Sequence, residues 1–493
     1  MQQQQQRRSR QWPQYLAAIT ATTSMAITGA HIGWTSPTLP RLKGPESHLP
    51  ISSNDASWIA SFYLLGNLPG NVLAAVLVDW LGRKASLLLA GLPLTLGWLL
   101  VIFAWQPYVL YCSRFLSGLG QGLVYVVCPM YIGEIADKEI RGALGSFIKL
   151  MVTFGELYAH ALGPFLSYAA LGYSCLLLSG LFFLGFAWMP ESPYFLVMRE
   201  RRAEAARSLR WLRGPLEPEL EPELEQELDQ ELDQMQKAVI RELSDRGRAR
   251  DLLGNRRALL VCLGLQLVLQ FSGLAAIESY TQEILEEGGD SEEAGFTPAM
   301  AVILLSVLQL AAGLGAAALV DRIGRRPLLV GTTLLAGLAL GASGLFYLLK
   351  LRLGLDTRGY GSVLVASIIG YELVVALGLN PLAYMMLGEL FPTNVKGLAV
   401  SLANLWASLL AFVVSKMHQV VADSLGIDVS FGWFAASCFL GLVFIVLCVP
   451  ETKGKSLLEI QEELNCARGR RRPAKSKVLT AANPPPPPSS SIA

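Results

Sequence analysis

The chain carries one short charged pattern twice, as DWLGRK at residues 79–84 and as DRIGRR at residues 321–326. Long apolar stretches flank both copies, and a glycine between an acid and two bases suits a very tight turn between two membrane spans. Short basic loops are most frequent on the cytoplasmic side of a membrane, so both turns are predicted to lie at that face. A repeat at about half the chain length predicts two similar halves in parallel, which is an architecture of transporters.

The composition is that of a membrane protein with many spans. Hydrophobic residues make up 52% and charged residues 16% of the 493 residues, and the formal net charge is +1. A soluble protein of this length carries more charge. The seven cysteines show neither paired nor metal-ligand spacing, so they are interpreted as small core residues.

Twelve apolar segments are predicted to cross the membrane as helices, six in each half. They are residues 15–37, 55–79, 85–105, 108–131, 143–168 and 171–189, then 258–286, 297–320, 327–349, 360–388, 398–422 and 431–449. With this arrangement the basic clusters fall inside the cell, whereas the acidic loop at residues 286–293 falls outside. The sequence therefore predicts an all-α membrane protein.

The chain divides into five predicted regions. They are an N-terminal tail at 1–14, a six-helix half at 15–190, a linker at 191–257, a second six-helix half at 258–449 and a tail at 450–493. Leucines in the polar linker recur at near-helical spacing, which predicts a solvated helix. Beyond Cys466 the tail is basic and then proline-rich, so disorder is expected there. Both termini and the linker are predicted to be cytoplasmic.

A second matched pair of motifs ends one span in each half, as EIADKEIRG at residues 134–142 and ELFPTNVKG at residues 389–397. In each motif an acid precedes a base by seven residues, at the same predicted face as the two turns. Charges that pair there and separate when the halves rock apart would bias a two-state equilibrium. The predicted cytoplasmic gate consists of Asp79, Arg83, Glu134, Arg141, Asp321, Arg325, Glu389 and Lys396.

With these motifs the sequence resembles the sugar porter family of the major facilitator superfamily. The resemblance also rests on RFLSGLGQG at residues 114–122, PESP at residues 190–193 and PETKGK at residues 450–455. Within the family, GWTSP at residues 33–37 and LRWLRG at residues 209–214 look like insect facilitated trehalose transporters and glucose facilitators. The resemblance implies a twelve-helix major facilitator fold and a sugar substrate.

The resemblance also implies a sugar site, from which this chain departs at several positions. Family members commonly carry QQxSGxN in span seven, where this chain has LQFSGLA at residues 269–275, and Lys149 replaces a sugar-contacting glutamine of span five. The altered tenth span reads LNPLAY at residues 379–384, and Ala407-Ser408 replaces an Asn-Trp pair. Each buried sugar hydroxyl needs a polar partner. The candidate substrate-binding residues are Gln270, Gln309, Asn380, Tyr384 and Lys149.

Several ionisable residues fall within predicted spans, where such groups normally face a cavity or a partner. Glu156, Glu278 and Glu372 are candidate partners of Lys149, although Glu156 lies about 10 Å along the same helix. His160 is interpreted as a packed polar residue rather than a proton relay. Thr35 occupies the position at which proton-coupled relatives carry an aspartate, which favours facilitated diffusion over symport.

The preferred interpretation is facilitative transport of a hexose or a disaccharide such as trehalose across the plasma membrane by alternating access. Two alternatives stay open: a porter of another polyol or a charged solute with possible proton coupling, and a sugar sensor that does not transport. No nucleophile triad, metal cluster or phosphate loop is evident, so neither an enzyme nor a metal, a cofactor or a nucleic-acid partner is predicted. The expected partners are the sugar and the lipid bilayer, and the functional unit is expected to be a monomer.

Overall fold

The protein was analysed as a computed structural model that describes residues 2–45, 47–137, 139–214, 221–244, 252, 254–288, 297–357, 359–391, 393–455 and 459–460. Within these ranges, the side chains of 2–10, 221–227, 242–244, 316–318, 321 and 393–394 are not described. Every regular element in the described part of the chain is helical. The predicted disorder beyond Cys466 lies outside the described residues.

The six spans of the first half form seven helices, because the first span is broken in two near Trp34. They are α1 (Gln2–Gly33), α2 (Thr35–Lys43), α3 (Ser53–Leu81), α4 (Arg83–Ile102), α5 (Pro107–Ile135), α6 (Arg141–Leu162) and α7 (Tyr168–Phe186). Three helices form the linker: α8 (Pro193–Met198), α9 (Arg202–Arg213) and α10 (Glu221–Ser244). Ser52 caps α3 with a capping box to Asp55, and Ser192 caps α8 at the PESP motif.

The second half repeats this scheme, with two of its spans broken. Its helices are α11 (Arg256–Phe271), α12 (Leu274–Gly288), α13 (Pro298–Ile323), α14 (Arg325–Leu351), α15 (Gly361–Val374), α16 (Asn380–Leu390), α17 (Thr393–Leu425) and α18 (Ile427–Cys448). The seventh span comprises α11 and α12, and the tenth joins α15 to α16 through a π-helix at Val375–Leu379. Single-turn π segments are frequent at functional sites because they redirect the side chains that follow.

Ten segments of the described chain are long and apolar enough to cross a membrane. The two other predicted spans are α1, which begins with polar residues, and α6, which carries Arg141, Lys149 and Glu156. These two helices pack along one another inside the first half. Glu156 is buried there, whereas Arg141 and Lys149 are exposed. The predicted all-α fold with two six-span halves is therefore confirmed.

The ends of the bundle differ in how the two halves meet. The linker end holds the tight turns at Gly82 and Gly324 together with α8–α10, and the far end lies opposite. The halves contact one another through α3 with α17, α6 with α13, and α2 with α12. At the far end Lys43 and Glu283 form an ion pair of 2.5 Å between α2 and α12. Lys416 Nζ of α17 donates to Asn54 Oδ1 at 3.1 Å and lies 4.0 Å above the Trp58 ring.

The cysteines partly correct the sequence interpretation. Cys128, Cys175, Cys262 and Cys438 are buried, as expected of small core residues. Cys112 and Cys448 are exposed and are therefore not core residues. An apolar segment alone does not distinguish exposed from buried positions, since lipid accepts apolar side chains as the protein core does.

Candidate functional site

The linker end of the first half holds a bidentate ion pair between the DWLGRK turn and the end of α5. Arg83 Nε lies 3.0 and 2.8 Å from the two carboxylate oxygens of Glu134, and its Nη2 lies 2.7 Å from Oε1. The hydroxyl of Ser192 donates to the same carboxylate. Arg83 is only 4% exposed, so its guanidinium depends on Glu134 for compensation.

Glu191 of the PESP motif fixes the turn itself. Its carboxylate accepts the backbone N–H of Arg83 at 3.0 Å and that of Lys84 at 3.0 Å, which are free donors at the start of α4. A negative charge at this position also complements the positive end of the helix dipole. Gly82 adopts φ +95°, and a side chain there would collide with the Glu191 carboxylate, so the glycine of the motif is required.

The second half reproduces this arrangement residue for residue. Arg325 Nε and Nη2 lie 3.2 and 3.1 Å from Glu389 Oε1, and Thr452 donates its hydroxyl to Glu389. Glu451 accepts the N–H groups of Arg325 at 3.1 Å and Arg326 at 3.0 Å. Partial burial raises the pKa of Glu451, but hydrogen bonds from four backbone N–H groups outweigh it, so the pKa lies below its ordinary value.

The two ion pairs differ from the sequence expectation in one respect. Each pair joins helices of a single half: Arg83 of α4 with Glu134 of α5, and Arg325 of α14 with Glu389 of α16. The acids end the spans that neighbour each turn within the same half, which is why the partners are local. The pairs therefore clamp each turn to its own half rather than bridging the two halves.

The other predicted gate residues are placed less centrally. Arg141 Nη2 donates to the Ala136 carbonyl at 3.2 Å, because it starts α6 directly after the chain leaves α5, and Lys396 is exposed in the first turns of α17. Neither residue has a carboxylate partner in the described part of the chain. The Asp79 carbonyl accepts from Arg199 at 2.6 Å. The side chain of Asp321 lies outside the described residues.

A charged cluster lies in the membrane interior, where the two halves face one another. Lys149 and Glu156 of α6 interact electrostatically with Glu278 of α12 and Glu372 of α15. Glu372 is 1% exposed and receives a hydrogen bond of 3.1 Å from Gln309 Nε2. Its other oxygen is buried and has no hydrogen-bond partner among the described residues. Three acids and one base thus meet across the halves.

The predicted substrate residues fall into two groups. Lys149, Gln309 and Tyr384 belong to this central region, since Tyr384 interacts with Glu278 and, across the halves, with Tyr125. Lys149 is exposed and has no ion-pair partner in the described part of the chain. Gln270 is 6% exposed and Asn380 follows the π-helix, and neither side chain forms a hydrogen bond with a described residue.

Several polar residues at the contact between the halves escaped the sequence analysis. Lys43, Glu283 and Lys416 form the far-end contacts, and Ser306 accepts or donates a 2.7 Å hydrogen bond with His160 Nδ1. The interpretation of His160 as a packed polar residue rather than a proton relay stays a prediction. Gln266, one turn before Gln270, is fully buried, and neither of its side-chain polar atoms has a hydrogen-bond partner among the described residues. The sequence offers no spacing signal for the other contacts, because their partners are distant in the chain.

Comparison with known proteins places this geometry in a family. The family model described as "Sugar (and other) transporter" matches residues 7–464. The chain belongs to this family. It is 31% identical over 462 residues to the facilitated trehalose transporter Tret1 of Bombyx mori, covering 92% of this chain and 87% of the relative. It is also 30% identical to Tret1 of Drosophila virilis, and that match covers 92% of this chain and 49% of the relative. The sugar transporter family membership accounts for the repeated turns and their matched acids.

Solved structures support the same fold. The inward open conformation of the xylose transporter XylE from E. coli superposes with a TM-score of 0.75 at 21% identity, covering 91% of this chain and 99% of that one. The proton:xylose symporter XylE bound to 6-bromo-6-deoxy-D-glucose gives 0.70 at 20% identity, covering 92% and 100%. At this level of identity the match shows the major facilitator fold alone.

Proposed function

We propose that this chain moves a sugar, a hexose or a disaccharide such as trehalose, across a membrane by facilitative alternating access. The observation that carries the proposal is the pair of matching Arg–Glu ion pairs at the linker end, one in each half. The ion pair that joins the two halves lies at the far end. Clamped turns keep each half rigid, so the halves rock as bodies about a central site. The trehalose transporters among its relatives support the substrate class.

The orientation proposed here places the linker end in the cytoplasm. The basic residues of both turns and of α9 lie at this end, which agrees with the distribution of basic loops in membrane proteins. Both termini and the linker at 191–257 are then cytoplasmic, and the two halves are residues 15–190 and 258–449. We place the chain in the plasma membrane as a functional monomer that catalyses no chemical reaction and needs no cofactor.

Lys149, Gln309 and Tyr384 are proposed to contact the sugar, with Gln270 and Asn380 completing the site. The side chains of Gln270 and Asn380 form no hydrogen bond with described residues, which leaves them available to sugar hydroxyls. A hydroxyl that loses water without regaining a partner costs roughly 1–3 kcal/mol, so amides held open toward a cavity are suited to this task. Tyr384 is 44% exposed and supplies a ring face together with a hydroxyl.

Counterflow in proteoliposomes tests the proposal. Vesicles containing the purified chain are loaded with unlabelled trehalose or glucose and diluted into a trace of the radiolabelled sugar. A transporter exchanges the label inward and produces a transient overshoot, whereas a sensor binds sugar without exchanging it. Absence of an overshoot for every hexose and disaccharide tested, with binding retained, identifies a sensor and refutes the transport proposal.

The charged cluster favours a second candidate function, the transport of a charged solute or proton-coupled transport. Three carboxylates lie near the single ammonium of Lys149 in this cluster, so acids outnumber bases there. The buried Glu372 oxygen has no hydrogen-bond partner among the described residues, and we propose it as the position at which a proton or another cation binds. An imposed inward proton gradient then drives sugar above its equilibrium level in the wild type, and Glu372→Gln abolishes accumulation but retains counterflow. Equal equilibration with and without the gradient leaves the facilitative function standing.

A further inference from the structure

A cavity lies at the linker end, away from the central charged cluster, where the ends of α3 and α7 meet α8 and α9. Its volume is about 460 Å³. The side chains that matter for its chemistry are Trp188, Glu191, Arg201, Glu204, Arg207 and Trp211. The transport cycle proposed above makes no use of this cavity, apart from the turn that Glu191 caps.

The cavity lies at the level of the membrane surface. Both α3, which ends at Leu81, and α7, which ends at Phe186, are apolar helices long enough to span a bilayer, and the cavity starts where they stop. Trp80 is 70% and Trp188 is 81% exposed at these ends. Exposed tryptophans at the ends of spans mark the depth of the lipid headgroups. The cavity therefore opens toward headgroups rather than toward acyl chains or bulk water.

Among the described residues, one cation of the cavity has no acidic partner. The Glu191 carboxylate is occupied by the backbone N–H groups at the start of α4. Glu204 receives Arg201 Nε and Nη2 at 2.6 Å each, so this pair is internally neutral. Arg207 has no hydrogen bond or ion pair with any described residue. Glu204, Arg207 and Trp211 recur at helical spacing, so one face of α9 presents, beside a tryptophan, a guanidinium that no described residue pairs with.

We propose that this cavity binds the headgroup of an anionic phospholipid. Its phosphate accepts from the Arg207 guanidinium, whose planar set of donors matches phosphate geometry. The glycerol and upper acyl region then lies against Trp188, outside α3 and α7. A bound lipid ties α9 to the ends of two spans of the first half. A soluble phosphate fits less well, because the opening is bordered by exposed tryptophans at membrane depth.

Native mass spectrometry of the full-length chain in detergent tests this proposal. The purified protein is titrated with phosphatidylserine or with phosphatidylcholine, and bound lipids are counted. The test variant is Arg207→Gln; the matched control is Arg202→Gln, whose arginine lies on the same helix but pairs with Asp229 and Asp233 at 3.3 and 2.7 Å. The wild type is expected to bind phosphatidylserine about fivefold more tightly than Arg207→Gln does, since one basic residue at an anionic surface contributes about 1 kcal/mol.

Three controls keep the result decisive. Arg202→Gln is expected to retain wild-type binding, and Trp188→Ala, which alters no charge, is expected to weaken it. Equal retention of phosphatidylserine and phosphatidylcholine by the wild type, or wild-type retention by Arg207→Gln, overturns the proposal. Glycerophosphoserine and inorganic phosphate serve as soluble probes: displacement of the lipid by either at equal concentration identifies a soluble phosphate ligand and overturns the assignment to lipid.

Discussion

At the scale of single residues, Arg83 and Arg325 have the same role but different surroundings. Arg83 uses three short contacts to both oxygens of Glu134, and its side chain is 5% exposed. Arg325 reaches one oxygen of Glu389 at 3.1 and 3.2 Å with 14% exposure. Removing one member of a buried pair leaves an uncompensated charge, and the cost rises with burial.

Arg83→Ala is therefore predicted to destabilise the protein more than Arg325→Ala. For Arg83→Ala the loss is about 3 kcal/mol, the lower end for breaking a buried pair, and for Arg325→Ala it is about 1 kcal/mol, nearer the exposed limit. Thermal unfolding in detergent, followed by intrinsic fluorescence, compares the two, with Arg83→Lys and Arg325→Lys as charge-retaining controls. Equal losses, or a greater loss for Arg325→Ala, would show that burial does not set the strength of the clamps.

Lys149 is the residue on which substrate selectivity is predicted to depend. It is exposed, has no ion-pair partner among the described residues and lies near three acids. Lys149→Gln restores a hydrogen-bonding amide at this position and is expected to increase counterflow of glucose or trehalose severalfold, on the order of one satisfied hydroxyl. Ala275→Asn added to Lys149→Gln is expected to increase it further. Initial rates are normalised to protein in the vesicles; an unchanged rate in both variants would remove Lys149 from the sugar site.

At the scale of elements, each tight turn forms one unit with the glutamate that caps it. That glutamate follows the sixth span in the first half and the twelfth span in the second half. Gly324 adopts φ +104°, and Glu451 accepts the N–H groups at the start of α14. The same unit occurs at Gly82, α4 and Glu191. Residues more than one hundred positions apart thus fix each hairpin, and the caps explain why PES and PET stand at matching places in the halves.

Stability is predicted to depend on the ionisation of Glu451. Its pKa in the folded protein is lowered, so its contribution is present above the ordinary glutamate pKa of about 4.3 and is lost as the pH falls through the folded value. Glu451→Gln is expected to lower stability by about 1 kcal/mol near neutral pH. The difference from the wild type should vanish in acid. Thermal unfolding across this pH range measures it, and a difference that persists below both pKa values would exclude the carboxylate as its source.

The sequence predicts features that depend on nearby residues and misses those that depend on contacts between residues distant in the chain. Hydropathy and the repeated turns predict twelve spans, since these signals are local. Arg83, Arg325 and the two acids are predicted to act in one gate, whereas the structure pairs Arg83 with Glu134 and Arg325 with Glu389 within each half. The breaks at Trp34 and Gly273 and the π-helix at Val375–Leu379 were not predicted, because each depends on packing against other spans. The ion pair of Lys43 with Glu283 joins residues 240 positions apart and leaves no pattern in the sequence.

At the scale of the whole molecule, the far end of the bundle is closed by contacts between the halves. Lys43–Glu283 joins α2 to α12, and Lys416 joins α17 to Asn54 and Ser57 at the start of α3. Alternating access requires these contacts to break when the far end opens, so the ion pair and the hydrogen bonds of Lys416 bias the equilibrium between the two states. A ligand or a mutation shifts that equilibrium only by its difference in free energy between the states.

Reversing the charge of Lys43 or of Glu283 alone is predicted to slow transport, and reversing both charges together is predicted to restore it. Lys43→Glu places two acids in contact, and Glu283→Lys places two bases in contact, so either variant disfavours closure of the far end. A repulsive contact in place of an attractive one of about 1 kcal/mol is expected to slow counterflow several times. The double variant restores an attractive pair and should recover most of the rate. If the counterflow rate of the double variant does not exceed that of both single variants, the ion pair does not control transport.

A reversible lock at the far end tests alternating access most directly. Cysteines are placed at Lys43 and Glu283 in a chain whose exposed Cys112 and Cys448 are replaced by serine, and a short bifunctional methanethiosulfonate joins them. The measurement is trehalose counterflow before cross-linking, after it, and after reduction, with Lys43→Cys alone and Glu283→Cys alone as controls. We predict that cross-linking abolishes the overshoot only in the chain that carries both substitutions and that reduction restores it. A cross-linked chain that exchanges sugar at its original rate would contradict the account.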